Sequence, residues 1–242
     1  MKETKLQTKI LNVYSSNNQA VRDAYAMLTA NIHIGNSHNK LRTFVLTSCN
    51  TGEGKTSLAI GLAVSMASSG WKVLLVDADM RKPTAAKRLN DQALFGLTDY
   101  LIDNTDLDRV LYETNISNLT YLPSGSDHSN PIGLLCSAEF EEMIALVSRK
   151  YDFVLFDTPA LASGVDGALI ASKVDATLMV VKMGSTSLKN LKRIKVQFDE
   201  MQANILGVIL NDMKKRDYKG YFESYNYFFN SKRFFKTRKI QG

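Results

Sequence analysis

Two cysteines in 242 residues leave no material for a disulfide framework or a zinc site, and Cys49 and Cys136 read as free thiols. No apolar run approaches the roughly 18 residues that a membrane-spanning helix needs. The densest stretch, 58–67, is interrupted by Gly61 and Ser65. The opening Met1-Lys2-Glu3-Thr4-Lys5 leads into polar sequence with neither an apolar core nor a small-residue cleavage site, so a cytoplasmic protein without a secretory signal is expected. A basic excess is also missing from most of the chain. The formal net charge is +6, but 213–242 alone holds nine Lys or Arg against Asp217 and Glu223, or +7, which leaves the first 212 residues near −1. No nucleic-acid partner is therefore expected for the body of the chain. A basic tail that could meet acidic lipid, nucleic acid or an acidic protein is expected instead. No internal repeat is present.

What the chain does have is a strand–loop–helix rhythm that starts at Arg42. Near-continuous apolar runs at 43–49, 72–79, 119–123, 153–157, 176–182 and 205–211 read as strands buried on both faces. Helical spacing marks 55–69, 139–150, 167–173 and 188–202, the last with Leu191, Ile194, Phe198 and Met201 on one face. This alternation predicts an α/β fold, a doubly wound and mostly parallel sheet, in one domain. Before it, Ser15-Ser16-Asn17-Asn18 offers helix caps. Val21, Tyr25, Leu28 and Ile32 then form one apolar face of a helix reaching Gly35. Two readings of that face stand open, packing on the domain and self-association. The chain divides into an N-terminal segment and helix at 1–41, a core at 42–212, and a basic, aromatic extension at 213–242 that is expected to be flexible.

Chemistry concentrates at three strand ends. The first is Ser48-Cys49-Asn50-Thr51-Gly52-Glu53-Gly54-Lys55-Thr56-Ser57, which joins the first strand to an apolar helix and reads as a phosphate-binding loop. Its glycines let backbone N–H groups wrap an anion, and the helix N-terminus adds positive potential. Lys55 is placed to reach β- and γ-phosphates, and the Thr56 hydroxyl to ligate Mg²⁺. Cys49 stands where the first glycine of the usual pattern would be, yet strand and helix flank the loop as the motif demands. The second strand runs into Asp77-Ala78-Asp79-Met80-Arg81-Lys82-Pro83, and the strand at 153–157 into Asp157-Thr158-Pro159. Singly, each aspartate could be a cap or turn residue. Together, three carboxylates beside one phosphate loop point to metal-assisted phosphoryl chemistry.

With those residues in view, the sequence resembles the bacterial tyrosine kinases, and more closely the stand-alone cytoplasmic kinases of capsular and exopolysaccharide synthesis. The three segments look like the Walker A, Walker A′ and Walker B motifs of that family, whose core is a MinD/ParA-like P-loop NTPase fold. The resemblance implies ATP and Mg²⁺ as cofactors. It implies catalytic roles for Lys55, Asp77, Asp79 and Asp157, with Thr56, Asp77 and Asp157 at the metal. It implies nucleotide contacts from Thr51, Gly52, Glu53, Gly54, Lys55, Thr56 and Ser57. Asn211 resembles a strand-end position that meets adenine, although a plain strand-capping Asn fits as well. It further implies a membrane-embedded polysaccharide co-polymerase or activator as partner, recruiting the chain to the inner face of the membrane.

The departures are specific. The family commonly has Pro where Thr51 and Ala160 stand. Ring-forming members carry Glu-x-x-Arg-x-x-Arg before an Asn-Ile pair, whereas Asp23, Ala26 and Thr29 precede Asn31-Ile32 here. A ring held by those ion pairs is not expected.

The tail gathers Tyr218, Tyr221, Tyr225 and Tyr227 with five phenylalanines, 9 of the chain's 22 aromatics. These tyrosines are the expected autophosphorylation sites. Four phosphates at about −1.5 to −2 each would cancel the +7. An amphipathic segment lying on a membrane or on a partner is a compatible alternative. Two other functions remain open: a partitioning or septum-site ATPase, against which Thr51 counts because those proteins carry a lysine there, and a catalytically weak ATP-binding regulator of a polysaccharide assembly complex.

Overall fold

Along β1 (Thr43–Ser48) successive side chains serve opposite sides of the sheet. Phe44 and Leu46 enter one hydrophobic layer and Val45 the other. The same alternation recurs in β2 (Val73–Asp77) and β5 (Phe153–Asp157), where Val73, Leu75, Phe153 and Leu155 face one way and Leu74, Val76, Val154 and Phe156 the other. Strands buried on both faces need helices on both, and the chain supplies them. The computed structural model describes residues 13, 18–36, 40–81, 95–103, 105–126 and 128–213. The tail tyrosines and most of the N-terminal segment lie outside these residues.

Among the described residues, one seven-stranded sheet has the order β3-β4-β2-β5-β1-β6-β7, completed by β3 (Tyr112–Glu113), β4 (Leu119–Leu122), β6 (Ala176–Lys182) and β7 (Ile205–Asn211). All neighbours are parallel except β3 and β4. On one face lies α2 (Lys55–Ser68), which buries Leu58, Leu62 and Met66, with α1 (Gln19–Asn36) outside it. The other face receives α3 (Leu97–Asp103), α4 (Pro131–Leu135), α5 (Ala138–Lys150), α6 (Asp166–Ala171) and α7 (Leu188–Glu200) through residues such as Tyr100, Leu135, Phe140, Ile170 and Phe198. Phe140 meets Phe156 edge-on, centroids 6.1 Å apart. Truncating such a core residue to Ala costs about 2–5 kcal/mol.

Local signals explain the helix starts. Ser137 caps α5 by accepting from the Phe140 N–H, with Glu139 and Glu141 in the first turn and Arg149 and Lys150 in the last, matching the helix dipole. Pro131 opens α4 behind an Asn130 cap. The apolar face of α1 packs on the domain: Thr29 Oγ1 donates to Ser65 Oγ at 3.0 Å and the Tyr25 hydroxyl to the Ser57 carbonyl at 3.2 Å, while Val21 stays 37% exposed.

Three features differ from the sequence reading. The second strand stops at Asp77, so Asp79 lies in the turn beyond it. β7 is a sheet edge and only half-buried, with Val208 and Leu210 exposed, because nothing among the described residues covers its outer side. The elements at β3, α3 and α4 have no counterpart in the periodic pattern, since none exceeds seven residues. No helix among the described residues is long and apolar enough to cross a membrane.

Candidate active site

The strand order β2-β5-β1 sets three loops side by side at the carboxyl ends of the strands, where ligands bind in this class of sheet. Asp77 and Asp157 are register partners, each the last residue of its strand. Both are essentially inaccessible, at 0% and 1% exposure. The Ala78 N–H donates to the Asp157 carbonyl at 2.8 Å, which ties the two strand ends together. Asp79, half-buried, donates its N–H to Asp77 Oδ1 at 3.1 Å in a turn that redirects the chain out of the strand. The two Walker A′ carboxylates therefore have different surroundings.

Across β5 the phosphate loop leaves β1. It is stitched to the Walker B exit by Thr158 Oγ1 to the Leu46 carbonyl at 2.9 Å, the Leu161 N–H to the Ser48 carbonyl at 2.9 Å and the Ala162 N–H to the Cys49 carbonyl at 3.0 Å. Gly54, at φ +90°, turns the chain into α2 in the left-handed region that suits glycine. No side chain caps α2 and no acid occupies its first turn. Its first N–H groups and its positive end are therefore offered to an anion.

Lys55 is the first residue of α2 and only 9% exposed. Burial lowers its pKa, while the negative charges of Asp157, Asp79 and Glu53 pull it back up. A buried ammonium ringed by carboxylates is poised for a polyanion. Thr56 and Ser57 follow it, half-buried, and Thr51 and Gly52 form the exposed rim. Cys49 is buried, and that burial raises its thiol pKa.

Glu53 is 1% exposed, and its carboxylate is used inside the loop. One oxygen accepts from Thr186 Oγ1 at 2.5 Å and the other from the Asn50 N–H at 3.2 Å, while Asn50 Nδ2 donates to Thr186 Oγ1 at 3.1 Å. The Glu53 carbonyl in turn accepts from Asn211 Nδ2 at 2.8 Å. Sequence reasoning had no signal for Thr186, because its contacts with Glu53 and Asn50 exist only once β6 lies beside β1. It also missed the pair of Arg81 with Asp166, described below.

Gly52, Gly54, Lys55, Thr56, Asp77 and Asp157 are thus brought to one crevice with Asp79 at its edge. The hard oxygen donors suit Mg²⁺, which typically takes one or two carboxylates plus phosphate and water. No group of three or more His, Cys, Asp or Glu among the described residues could hold a metal alone. A cleft of about 510 Å³ lined by Lys72, Asn115, Thr120 and Tyr151 opens at the opposite ends of β2 and β4, away from these carboxylates. Tyr218, Tyr221, Tyr225 and Tyr227 lie outside the described residues.

The family model described as an AAA domain matches residues 41–211. The tyrosine-protein kinase CpsD of Streptococcus pneumoniae serotype 4 is 36% identical over 190 residues, covering 78% of this chain and 83% of that protein. The tyrosine-protein kinase YwqD of Bacillus subtilis is 31% identical over 202 residues, covering 83% and 85%. Among solved structures, the kinase domain of Escherichia coli tyrosine kinase ETK superposes with a TM-score of 0.77 at 26% identity, over 81% of this chain and 76% of that one. The chimerical protein CapA2B2 gives 0.76 at 29%, over 88% and 98%. The septum site-determining protein MinD of Pyrococcus horikoshii, complexed with Mg-ADP, gives a lower 0.62 at 26%, over 73% of each chain.

Proposed function

The chain belongs to the AAA-domain family and, within it, to the bacterial tyrosine-protein kinases, and from that premise we propose that the crevice at β2, β5 and β1 transfers the γ-phosphoryl group of ATP to tyrosine. The observation that carries the site assignment is the register pairing of Asp77 with Asp157 beside buried Lys55. Bound ATP·Mg²⁺ would supply the electrophilic phosphorus and partial neutralisation of its charge.

The chain's own residues do the positioning. Thr51, Gly52, Glu53, Gly54, Lys55, Thr56 and Ser57 present backbone N–H groups and one ammonium to the phosphates. Thr56, Asp77 and Asp157 would hold Mg²⁺ through oxygen. Asp79, less buried than Asp77 and at the mouth of the crevice, receives the tyrosine proton. The phenolic oxygen bonds to the γ-phosphorus, the bond to the β,γ-bridging oxygen breaks, and ADP leaves with that electron pair. Asn211 braces the loop through the Glu53 carbonyl. Tyr218, Tyr221, Tyr225 and Tyr227 are the proposed acceptors. A random coil of thirty residues spans about 30 Å r.m.s., a reach that would take in its own or a neighbour's crevice.

The three-part division into 1–41, 42–212 and 213–242 follows from this reading. So does a cytoplasmic enzyme held at the inner face of the membrane by a polysaccharide co-polymerase or activator. The partitioning-ATPase alternative is weakened by Thr51, which leaves the loop without that family's extra lysine. The test is incubation of the purified chain with labelled ATP, with and without a cytosolic fragment of such a partner, followed by mapping of the labelled residues. Label on the tail tyrosines in wild type and none in Lys55→Met supports the proposal. Equal labelling in Lys55→Met would overturn it.

A further inference from the structure

Arg81 leaves the Walker A′ turn and places its Nε 3.1 and 3.0 Å from the two carboxylate oxygens of Asp166. Asp166 is 1% exposed, whereas the Arg81 side chain is 39% exposed. The other ion pairs among the described residues have acidic partners 55% exposed or more. A buried carboxylate without its cation is costly, so this pair is a requirement of the local structure and not a surface ornament. The backbone makes room for it. A Cβ on Gly164 would lie 2.5 Å from Asp166 Oδ2 and 3.4 Å from Arg81 Nε. One on Gly167 would lie 2.8 Å from Thr47 Oγ1 and 3.0 Å from Thr158 Oγ1.

These contacts locate the guanidinium. The first turn of α6, at Gly167, is seated on Thr47 of β1 and on Thr158 just past β5, while Arg81 comes from the chain that leaves β2. The side chain therefore crosses the end of β5, the strand that finishes at Asp157. It lies between the strand that ends in Asp77 and the one that leads into the phosphate loop. Nε is committed to Asp166, and among the described residues the two terminal nitrogens carry no hydrogen bond. A guanidinium held at one edge presents a planar fork of N–H donors at the other, the geometry that pairs with phosphoryl oxygens.

Resting on the proposed phosphoryl transfer at this crevice, we propose that Arg81 is an arginine supplied in cis to the equatorial oxygens of the γ-phosphoryl group in flight, and that Asp166 is its positioning residue. The crevice needs such a cation. Three carboxylates, Asp157, Asp79 and Glu53, act on the single ammonium of Lys55, and Thr51 contributes no second one. Phosphoryl transfer in P-loop enzymes depends on an arginine that meets charge in the transition state, supplied in cis or by a partner.

The test does not require turnover. Affinity for ADP·Mg²⁺ and for ADP·Mg²⁺ with aluminium fluoride, a mimic of the phosphoryl group in flight, is measured by calorimetry on the full chain, with melting temperature as the fold control. Wild type should bind the aluminium fluoride complex more tightly than ADP. Arg81→Ala and Arg81→Lys should each lose about 10²–10³-fold of that affinity, while ADP affinity changes less than about threefold. Asp166→Asn should lose about tenfold, and Asp166→Glu less. The exchange of both residues, Arg81→Asp with Asp166→Arg, should recover melting temperature but not the aluminium fluoride affinity. The proposal is overturned if wild type shows no preference for the mimic, if Arg81→Lys binds it as wild type does, or if the exchanged pair restores its binding. Unchanged binding of both ligands by Lys55→Met would instead show that the phosphate-loop reading had failed.

Discussion

Asn211 donates its side-chain amide to the main-chain carbonyl of Glu53 at 2.8 Å, so the last residue of β7 fastens the phosphate loop across 158 positions of sequence. A Cβ on Gly54 would lie 2.1 Å from that same amide nitrogen, at a residue whose φ is +90°. The loop can thus take its shape only with glycine at 54. Asn211 touches the site through the loop backbone, whether or not it also reaches the base.

Gly54→Ala should therefore abolish nucleotide binding, and adding Asn211→Ala should not restore it, because the left-handed φ remains unfavourable after the clash is gone. Asn211→Ala alone should leave the fold intact and weaken ATP binding about five- to tenfold, the worth of one hydrogen bond. Titration with a fluorescent ATP analogue measures all three. Wild-type affinity in Gly54→Ala would contradict the account of the loop.

Much of this site was legible because its residues fall at the ends of apolar runs. Lys55, Asp77 and Asp157 each follow or close a strand, and the parallel order then brings those ends together without further information. What could not be read was anything created by adjacency. Thr186 meets Glu53 only because β6 lies against β1, and Asp166 meets Arg81 only because the start of α6 is seated on β1 and just past the end of β5. The strand boundary at Asp77 was also hidden. Ala78 and Met80 continue the apolar alternation, but the turn made by Asp79 on the Asp77 carboxylate ends the ladder. The edge character of β7 was invisible for the same reason, since an apolar run does not report how many neighbours it has.

That boundary separates the two Walker A′ carboxylates in experiment. Asp77 is wholly buried beside Asp157, whereas Asp79 is half-buried in the turn. Asp77→Ala and Asp79→Ala should each lose most of the transfer rate. Only Asp77→Ala should also shift the Mg²⁺ dependence and the melting temperature, because it alone empties a buried strand end. Identical Mg²⁺ titrations for the two variants would remove this division of labour, and normal rates in both would place hydroxyl activation elsewhere.

Lys55 carries a stability signature apart from catalysis. Burial lowers its pKa in the folded chain despite the opposing pull of Asp157, Asp79 and Glu53. Between that lowered value and the ordinary lysine pKa of about 10.4 the unfolded chain holds more protons, so this residue makes stability rise with pH across the window. Below the window its cost is fully present, and above it the cost vanishes. Nucleotide-free Lys55→Met should melt above wild type at neutral pH, by about 2–4 °C for each kcal/mol relieved, with the gap closing towards pH 10. A Lys55→Met chain that melts below wild type at neutral pH would refute this.

Assembly should not depend on ion pairs along α1. Thr29, at the last position of the ring pattern, is buried against Ser65 of α2, and Ala26 offers no charge. Asp23 accepts from Gln19 of its own helix at 2.7 Å. No salt-bridged ring is expected at physiological ionic strength. Light scattering that revealed a uniform octamer insensitive to salt would contradict this, and would shift attention to exposed apolar residues such as Val21 and Ile34.

Placement also selects the acceptors. Tyr121 is wholly buried in β4 and Tyr151 nearly so, and the Tyr112 hydroxyl donates to the Phe95 carbonyl, so these phenols are held away from the crevice. Phosphate should accumulate on Tyr218, Tyr221, Tyr225 and Tyr227. As it does, the tail moves from +7 towards neutrality or below, since each phosphate adds about −1.5 to −2. Attraction of a basic segment to an anionic surface scales with its charge, so membrane binding should fall stepwise as phosphates accumulate. Sedimentation with anionic vesicles tests this on three samples: unphosphorylated chain, phosphorylated chain, and a variant with all four tyrosines changed to Phe after ATP treatment. The first and third should bind alike and the second should bind weakly, with the difference shrinking as salt screens the charges. Equal binding by all three would eliminate the charge switch, and phosphate found mainly outside 218–227 would eliminate the tail as substrate.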